Sequence, residues 1–231
     1  MPAGHRDSSQ ASLVRFFAVG LNVVVGILVD ADDEAAGIFG GDLAVIQELL
    51  DRAAAGQWAE PDLAEGDDLE GDMWGYSGLH ALRRVAVHLA ESGTLPDPLE
   101  ASKATGDPLL KKAYAALPGD PAGPFDHLIY HSDCEGYYVP VDFRQVIADE
   151  AVAGGYLGSS VRLLAETRRI AAALGLPEDL DPDSAEVFDA CQAKIPAAAG
   201  WQRYGVESYG CLRLIQAARH SIATGAAIAF C

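Results

Sequence analysis

Basic residues are scarce in this chain. Four lysines and twelve arginines face 34 Asp and Glu, so 231 residues carry a net charge of −18. A field of that sign repels nucleic acid phosphates and anionic lipid surfaces alike. It favours a cationic partner, so the partner expected from charge is a basic protein, with no nucleic acid and no membrane. Cysteine is sparse too: Cys134, Cys191, Cys211 and Cys231 are scattered, with no CxxC pair. That argues against a disulfide scaffold and for a reducing, cytoplasmic location. No GxSxG, HExxH, GxxxxGK or GxGxxG pattern occurs, so the common hydrolase, metalloprotease and phosphate-binding signatures are absent.

The one long apolar run, 16–29 (FFAVGLNVVVGILV), is too short to span a bilayer comfortably. It resembles the apolar region of a signal peptide. Against that stand Asp7 in what would be the basic region, and Asn22 with two glycines inside the run. It reads as one long buried strand, or two short ones bent at Gly20–Asn22. Residues 1–12 are polar and read as a flexible N-terminus; 13–231 reads as a single globular domain. Six prolines in 93–124 mark a Pro-rich insertion or hinge around a short helix near 109–116.

Elsewhere the apolar spacing predicts helices. One is capped by Asp42 and runs to about Ala55. A second starts at Ser77, with Leu82, Val85, Ala86 and Leu89 inward. Asp142 starts a third through about Val152. Ser159 or Ser160 caps a fourth with Leu163, Thr167, Ile170 and Leu174 inward and Arg162, Glu166 and Arg169 outward. Ser184–Ile195 is a fifth, ended by Pro196. Glu207–Ala223 is the last, burying Cys211, Leu214, Ile215, Ala218 and Ile222. Strands fall at 16–29, 125–131, 137–139 and 226–230. Together these give an α+β fold, one mixed β-sheet covered by several helices. Residues 60–72 carry seven acids but lack the DxDxDG order of a calcium loop, and read as a solvated loop. His80, Arg84 and His88 form a helical stripe able to face an anion.

Reactive side chains concentrate in FDHLIYHSDCEGYYVP (125–140), which holds His127, His131, Asp133, Cys134 and Glu135. On a straight strand His127 and His131 lie about 13 Å apart, too far to share one metal without a bend. Three readings stay open at the strand end. His127, His131, Asp133 and Cys134 are candidate ligands of a divalent ion, zinc being the best match to mixed N, O and S donors. His131, Asp133, Cys134 and Glu135 are candidate catalytic residues, Cys134 a nucleophile, His131 a base and Glu135 a general acid/base. In the third, Ser132 and Asp133 hold a tight turn, Gly136 supplies a positive φ and Cys134 is a small core residue.

HLIYHSDCEG, the Trp74–Ala90 segment and the ending YGCLRLIQAARHSIATGAAIAFC resemble a family of small bacterial proteins with an HLxxHSDC(D/E)G motif, for which no catalytic residue is established. The layout is also similar to some immunity proteins of bacterial toxin systems. The resemblance implies a compact cytoplasmic domain. The expected function is an acidic protein of immunity or regulatory type that binds a partner. The alternative is an enzyme, metal-dependent or with a cysteine nucleophile, a hydrolase by type. It would be centred on residues 131–135 and take a small-molecule substrate.

Overall fold

A computed structural model of the chain describes residues 20–99, 103–119, 121–193, 197 and 199–231. The flexible N-terminus expected at 1–12, the start of the 16–29 run and the Pro196 helix stop lie outside the described residues. The fold is α+β, with one mixed six-stranded sheet in the order β2-β1-β6-β3-β5-β4. The strands are β1 (Asn22–Val25), β2 (Leu69–Asp72), β3 (Gly136–Val139), β4 (Ile147–Ala148), β5 (Tyr156–Ser159) and β6 (Ile228–Phe230). β3 and β5 are parallel, and the other neighbours are antiparallel.

Strand alternation divides the core. Tyr137 and Val139 of β3, with Ala227 and Ala229 from the β6 segment, meet α1 (Asp33–Arg52) through Leu43, Ile46, Leu49 and Leu50. Tyr138, Ile228 and Phe230 face the opposite layer. That layer is built from α2 (Gly75–Ser92), α5 (Ser160–Leu174) and α7 (Gly205–Thr224). Smaller helices are α3 (Pro108–Tyr114), α4 (Asp126–Ile129) and α6 (Ala185–Gln192). Among the described residues no helix is long and apolar enough to cross a membrane.

Local chemistry explains the elements. Asp32, not Asp42, caps α1, accepting from the Ala35 N–H at 2.9 Å, and Asp33 and Glu34 complement the helix dipole in the first turn. Asp42 instead sits inside α1 and accepts from the Tyr137 hydroxyl at 2.8 Å. Ser159 caps α5 through Arg162, and Gly175 at φ +68° ends it in the left-handed conformation that glycine tolerates. Leu163, Thr167, Ile170 and Leu174 are buried as their spacing predicts, and so are Cys211, Leu214, Ile215 and Ala218 of α7.

Several expectations are corrected. The strand expected at 125–131 is the one-turn helix α4. Gly123 donates to the Asp126 carboxylate at 2.6 Å, and the Glu166 carboxylate takes the His127 and Leu128 N–H groups at 3.2 and 2.8 Å. Those three bonds hold the turn closed. Glu166 is therefore buried rather than outward. Ile222 is 40% exposed rather than buried. The helix expected from Asp142 is irregular chain leading into β4. The 60–72 segment contains β2, paired in full register along β1. β5 hides in a glycine-rich stretch for a steric reason: a Cβ at Gly158 would come within 2.2 Å of the Tyr138 ring on the neighbouring strand.

Candidate functional site

The 125–140 cluster is a pinned turn. Arg83 of α2, 2% exposed, donates to the carbonyls of Leu128, His131 and Ser132 at 2.8, 2.7 and 3.1 Å. Ser132 Oγ accepts the N–H groups of Cys134 and Glu135, each at 3.3 Å. These bonds consume the backbone polarity of the loop.

Both histidines are committed to the core. His127 Nδ1 accepts from the Ser159 N–H at 3.0 Å, which leaves Nε2 to donate to the Arg144 carbonyl at 3.2 Å. His131 stacks on Tyr138 at 4.0 Å, with Nδ1 and Nε2 each 3.1 Å from a carbonyl, of Ser132 and Tyr137. Burial holds both imidazoles down at about 4, helped at His131 by the Arg83 charge, so both are neutral near pH 7. Asp133 turns to His80 Nε2 at 3.1 Å, and His80 Nδ1 meets the Tyr114 hydroxyl at 2.7 Å. Cys134 and Glu135 are exposed, and Cys134 Sγ lies 3.4 Å from Ser132 Oγ. The structure thus brings His131 and Ser132 together with Arg83, and sends Asp133 to α2. Among the described residues no group of three His, Cys, Asp or Glu side chains could hold a metal ion. The His80, Arg84 and His88 stripe faces carboxylates: His80 meets Asp133, while Arg84 and His88 both meet Asp107 at 2.9 Å.

The strongest surface feature is acidic and was only half visible from sequence. Residues 60–72 hold seven acids and no Lys or Arg; residues 178–189 hold six acids and again no Lys or Arg. The second run is nearly as dense in acids as the first, and that density is readable in the chain. Folding sets the two runs on either side of α7. A groove of about 530 Å³ along that helix has Leu69 of β2 on one wall and Glu178–Pro182 on the other.

Side-chain bonds tie the walls to the helix. Arg213 donates to Asp183 at 2.6 and 3.2 Å and to the Tyr209 hydroxyl at 3.1 Å. Tyr209 in turn donates to Asp72 at 2.9 Å. His220 Nε2 meets the Asp67 carbonyl at 2.7 Å, and Arg219 donates to Glu178 at 2.6 Å. Glu60 is the weak member of the first run. Burial pushes its carboxyl up to about 7, against the pull of the Ala227 N–H, so it carries only part of a charge near neutrality. Asp67, Asp72, Asp179, Asp181, Asp183, Glu186 and Asp189 remain exposed. The arrangement presents fixed negative charge from two rigidly tied segments, with the charge-balancing arginines lying along α7 between them.

Residues 19–230 match the family described as "Putative DNA-mimic protein". No curated protein matches the chain, and no solved structure matches it. The family match corrects the expectation about partners. Charge set nucleic acid aside and pointed to a basic protein in general. The family's description brings nucleic acid back as the thing imitated, because carboxylates that repel phosphate also copy its sign. A match that runs from before β1 into β6 makes this chain a member of the DNA-mimic family.

Proposed function

We propose that the protein regulates a DNA-binding protein by occupying the face that would otherwise contact DNA. The observation that carries this reading is the pair of acidic runs, each without a Lys or Arg, both tied to side chains of α7 and both reaching the groove along it. Duplex DNA presents about one charge per 1.7 Å of axis from two strands on a stiff frame. A competitor needs negative charge in two lines, held so that little ordering entropy is lost on docking. β2 is held by its ladder to β1, Ser184 caps α6, and Arg213 and Tyr209 link Asp183 to Asp72. The −18 field adds steering, which speeds encounter with a cationic DNA-contact face. The same reading keeps the chain in the cytoplasm, with the DNA.

The test is competition. Proteins captured on the immobilised chain are purified, and their complexes with duplex DNA are titrated with free chain. Displacement of DNA near stoichiometry is expected, weakening as salt rises from about 50 to 500 mM. A partner that holds DNA and this chain together in a ternary complex would overturn the proposal.

A further inference from the structure

We infer that a cleft beside the acidic face is the receptor for a guanidinium group, the head of an arginine side chain supplied by the partner. That bearer rests on the DNA-mimic reading; the chemistry of the cleft stands without it. The cleft has a volume of about 560 Å³ and lies between α2, α6 and the start of α7, with Trp74, His80, Leu99, Cys191, Val206 and Glu207 on its walls.

Glu207 is the informative residue. It is 4% exposed, and its Oε1 has no hydrogen-bond partner among the described residues. A buried carboxyl oxygen without a donor costs free energy that a docking N–H would recover. The surroundings select the sign of that donor. Burial raises the Cys191 thiol, and the charges of Glu207 and Asp72 raise it further. The Tyr204 hydroxyl is likewise raised by burial, with Glu207 and Asp97 adding to it against Arg203 and Arg84. Glu207 and Asp72 therefore act on the thiol at the cleft wall. Burial raises the Glu207 carboxyl above its ordinary value, against the pull of its own backbone N–H and of the Arg84 charge, while Arg84 itself points Nε at Asp107 and Nη1 at the Asp97 carbonyl. Lys103 and Arg203 are exposed side chains on the cleft wall, free to swing into solvent.

Shape favours guanidinium over ammonium. Trp74 on the cleft wall makes T-shaped ring pairs with Phe188 at 5.8 Å and Tyr209 at 5.4 Å, which restrain the indole. A planar cation stacks on such a face and offers two parallel N–H groups to one carboxylate; an ammonium does neither. The cleft also adjoins the acidic face. The Trp74 backbone N–H donates to Asp72 at 2.7 Å, and Gln202 on the cleft wall donates to Glu186 at 3.1 Å. DNA-binding proteins reach phosphate largely with Arg and Lys, so an arginine is what a docked partner would bring there.

The experiment titrates the full chain, without partner, with Nα-acetyl-arginine methylamide, the matching lysine compound and free arginine. The Trp74 indole N–H resonance reports binding. Saturable binding of the capped arginine is expected, at least tenfold weaker for the capped lysine. Glu207→Gln, read at the same resonance, and Trp74→Leu, read by isothermal titration calorimetry beside the wild type, each shown folded by its melting curve, should each weaken it at least tenfold. Absence of a saturable shift, or unchanged affinity in both variants, overturns the assignment. Free arginine binding tenfold tighter than the capped form would assign the cleft to a small metabolite and also overturn it. Because no partner is present, these outcomes are separate from the DNA competition that tests the proposed function.

Discussion

Arg213 grips Asp183 with both terminal nitrogens, at 2.6 and 3.2 Å, yet the two side chains live in different media: Arg213 is 5% exposed and Asp183 67%. The asymmetry predicts unequal costs. Asp183→Asn removes a largely solvated charge and should cost under about 1 kcal/mol. Arg213→Ala also strips the bond to Tyr209 and the packing beneath Gly71, whose Cα faces the guanidinium, and should cost about 2 kcal/mol. Urea denaturation of the two variants against wild type checks the order. Equal losses would show that the Tyr209 bond and the packing beneath Gly71 add nothing to the ion pair.

Glu166 makes stability depend on pH in a direction opposite to most carboxylates. Burial pushes it up to about 8 from an ordinary 4.5, even though the backbone N–H groups of Leu128 and His127 pull it down. Between those values the folded chain keeps a proton that the unfolded chain releases. Its contribution is therefore full below about 4.5 and fades as pH climbs to about 8, at up to roughly 1.4 kcal/mol per unit. Glu166→Gln should destabilise by about 1–3 kcal/mol at pH 5, through the N–H group its amide cannot accept, and by less at pH 8. Unfolding free energies at the two pH values test this; a penalty that grows with pH contradicts it.

His131 works the other way. Its folded value of about 4 lies below the ordinary 6.5, so the unfolded chain binds the proton first as pH falls. Stability from this group is full above about 6.5 and is lost toward 4. His131→Phe keeps a ring against Tyr138 but removes the single N–H that the neutral imidazole gives to either the Ser132 or the Tyr137 carbonyl, costing about 1–2 kcal/mol at pH 7. At pH 5 the gap should narrow, since the variant has no imidazole to protonate on unfolding. Paired urea titrations at pH 7 and pH 5 decide it.

The Ser132–Gly136 turn separates a structural role from a chemical one. Ser132 Oγ receives two backbone N–H groups, whereas Cys134 is exposed. Ser132→Ala should cost about 1 kcal/mol, and Cys134→Ser should stay within about 0.5 kcal/mol of wild type. A Cys134→Ser protein that folds normally but loses partner binding would give the thiol a function that this geometry does not supply.

What could be read in advance follows from which forces are local. The α5 stripe and its Gly175 stop, the buried face of α7 as far as Ala218 and the closing strand are matters of spacing and caps, and they form where expected. β2 was hidden because Leu-Glu-Gly-Asp has no β-branched residue; it is a strand only because β1 offers a partner. α1 begins at Asp33, well ahead of the apolar stripe, and runs through Gly37, Gly40 and Gly41, carried by its Asp32 cap. Glu166 looked outward because its ligands, the N–H groups of α4, lie 38 and 39 residues away. Of the acidic face, one run was legible as composition. Its partner lies more than a hundred residues on, and only the packing of α7 makes them neighbours.

That neighbourhood yields a discriminating test of mimicry. Neutralising one run, Asp67→Asn with Asp68→Asn, or the other, Asp179→Asn with Asp181→Asn, removes two charges each while keeping the Asp181 acceptor that holds the Asp183 N–H. Each surface charge in a close pairing is worth about 0.3–1 kcal/mol, so either double variant should weaken partner binding about three- to thirtyfold. A control of equal charge, Glu135→Gln with Glu150→Gln, lies near β3 and β4 on the far side of the sheet order and should weaken binding less than twofold. The salt dependence of affinity should flatten in both run variants and not in the control, because fewer screened pairs remain in the complex. If general negative charge were enough, all three variants would lose affinity alike. If one run sufficed, the other double variant would behave like the control. Only a partner that reads two lines of charge at once, as it would read two phosphate strands, is weakened by the loss of either.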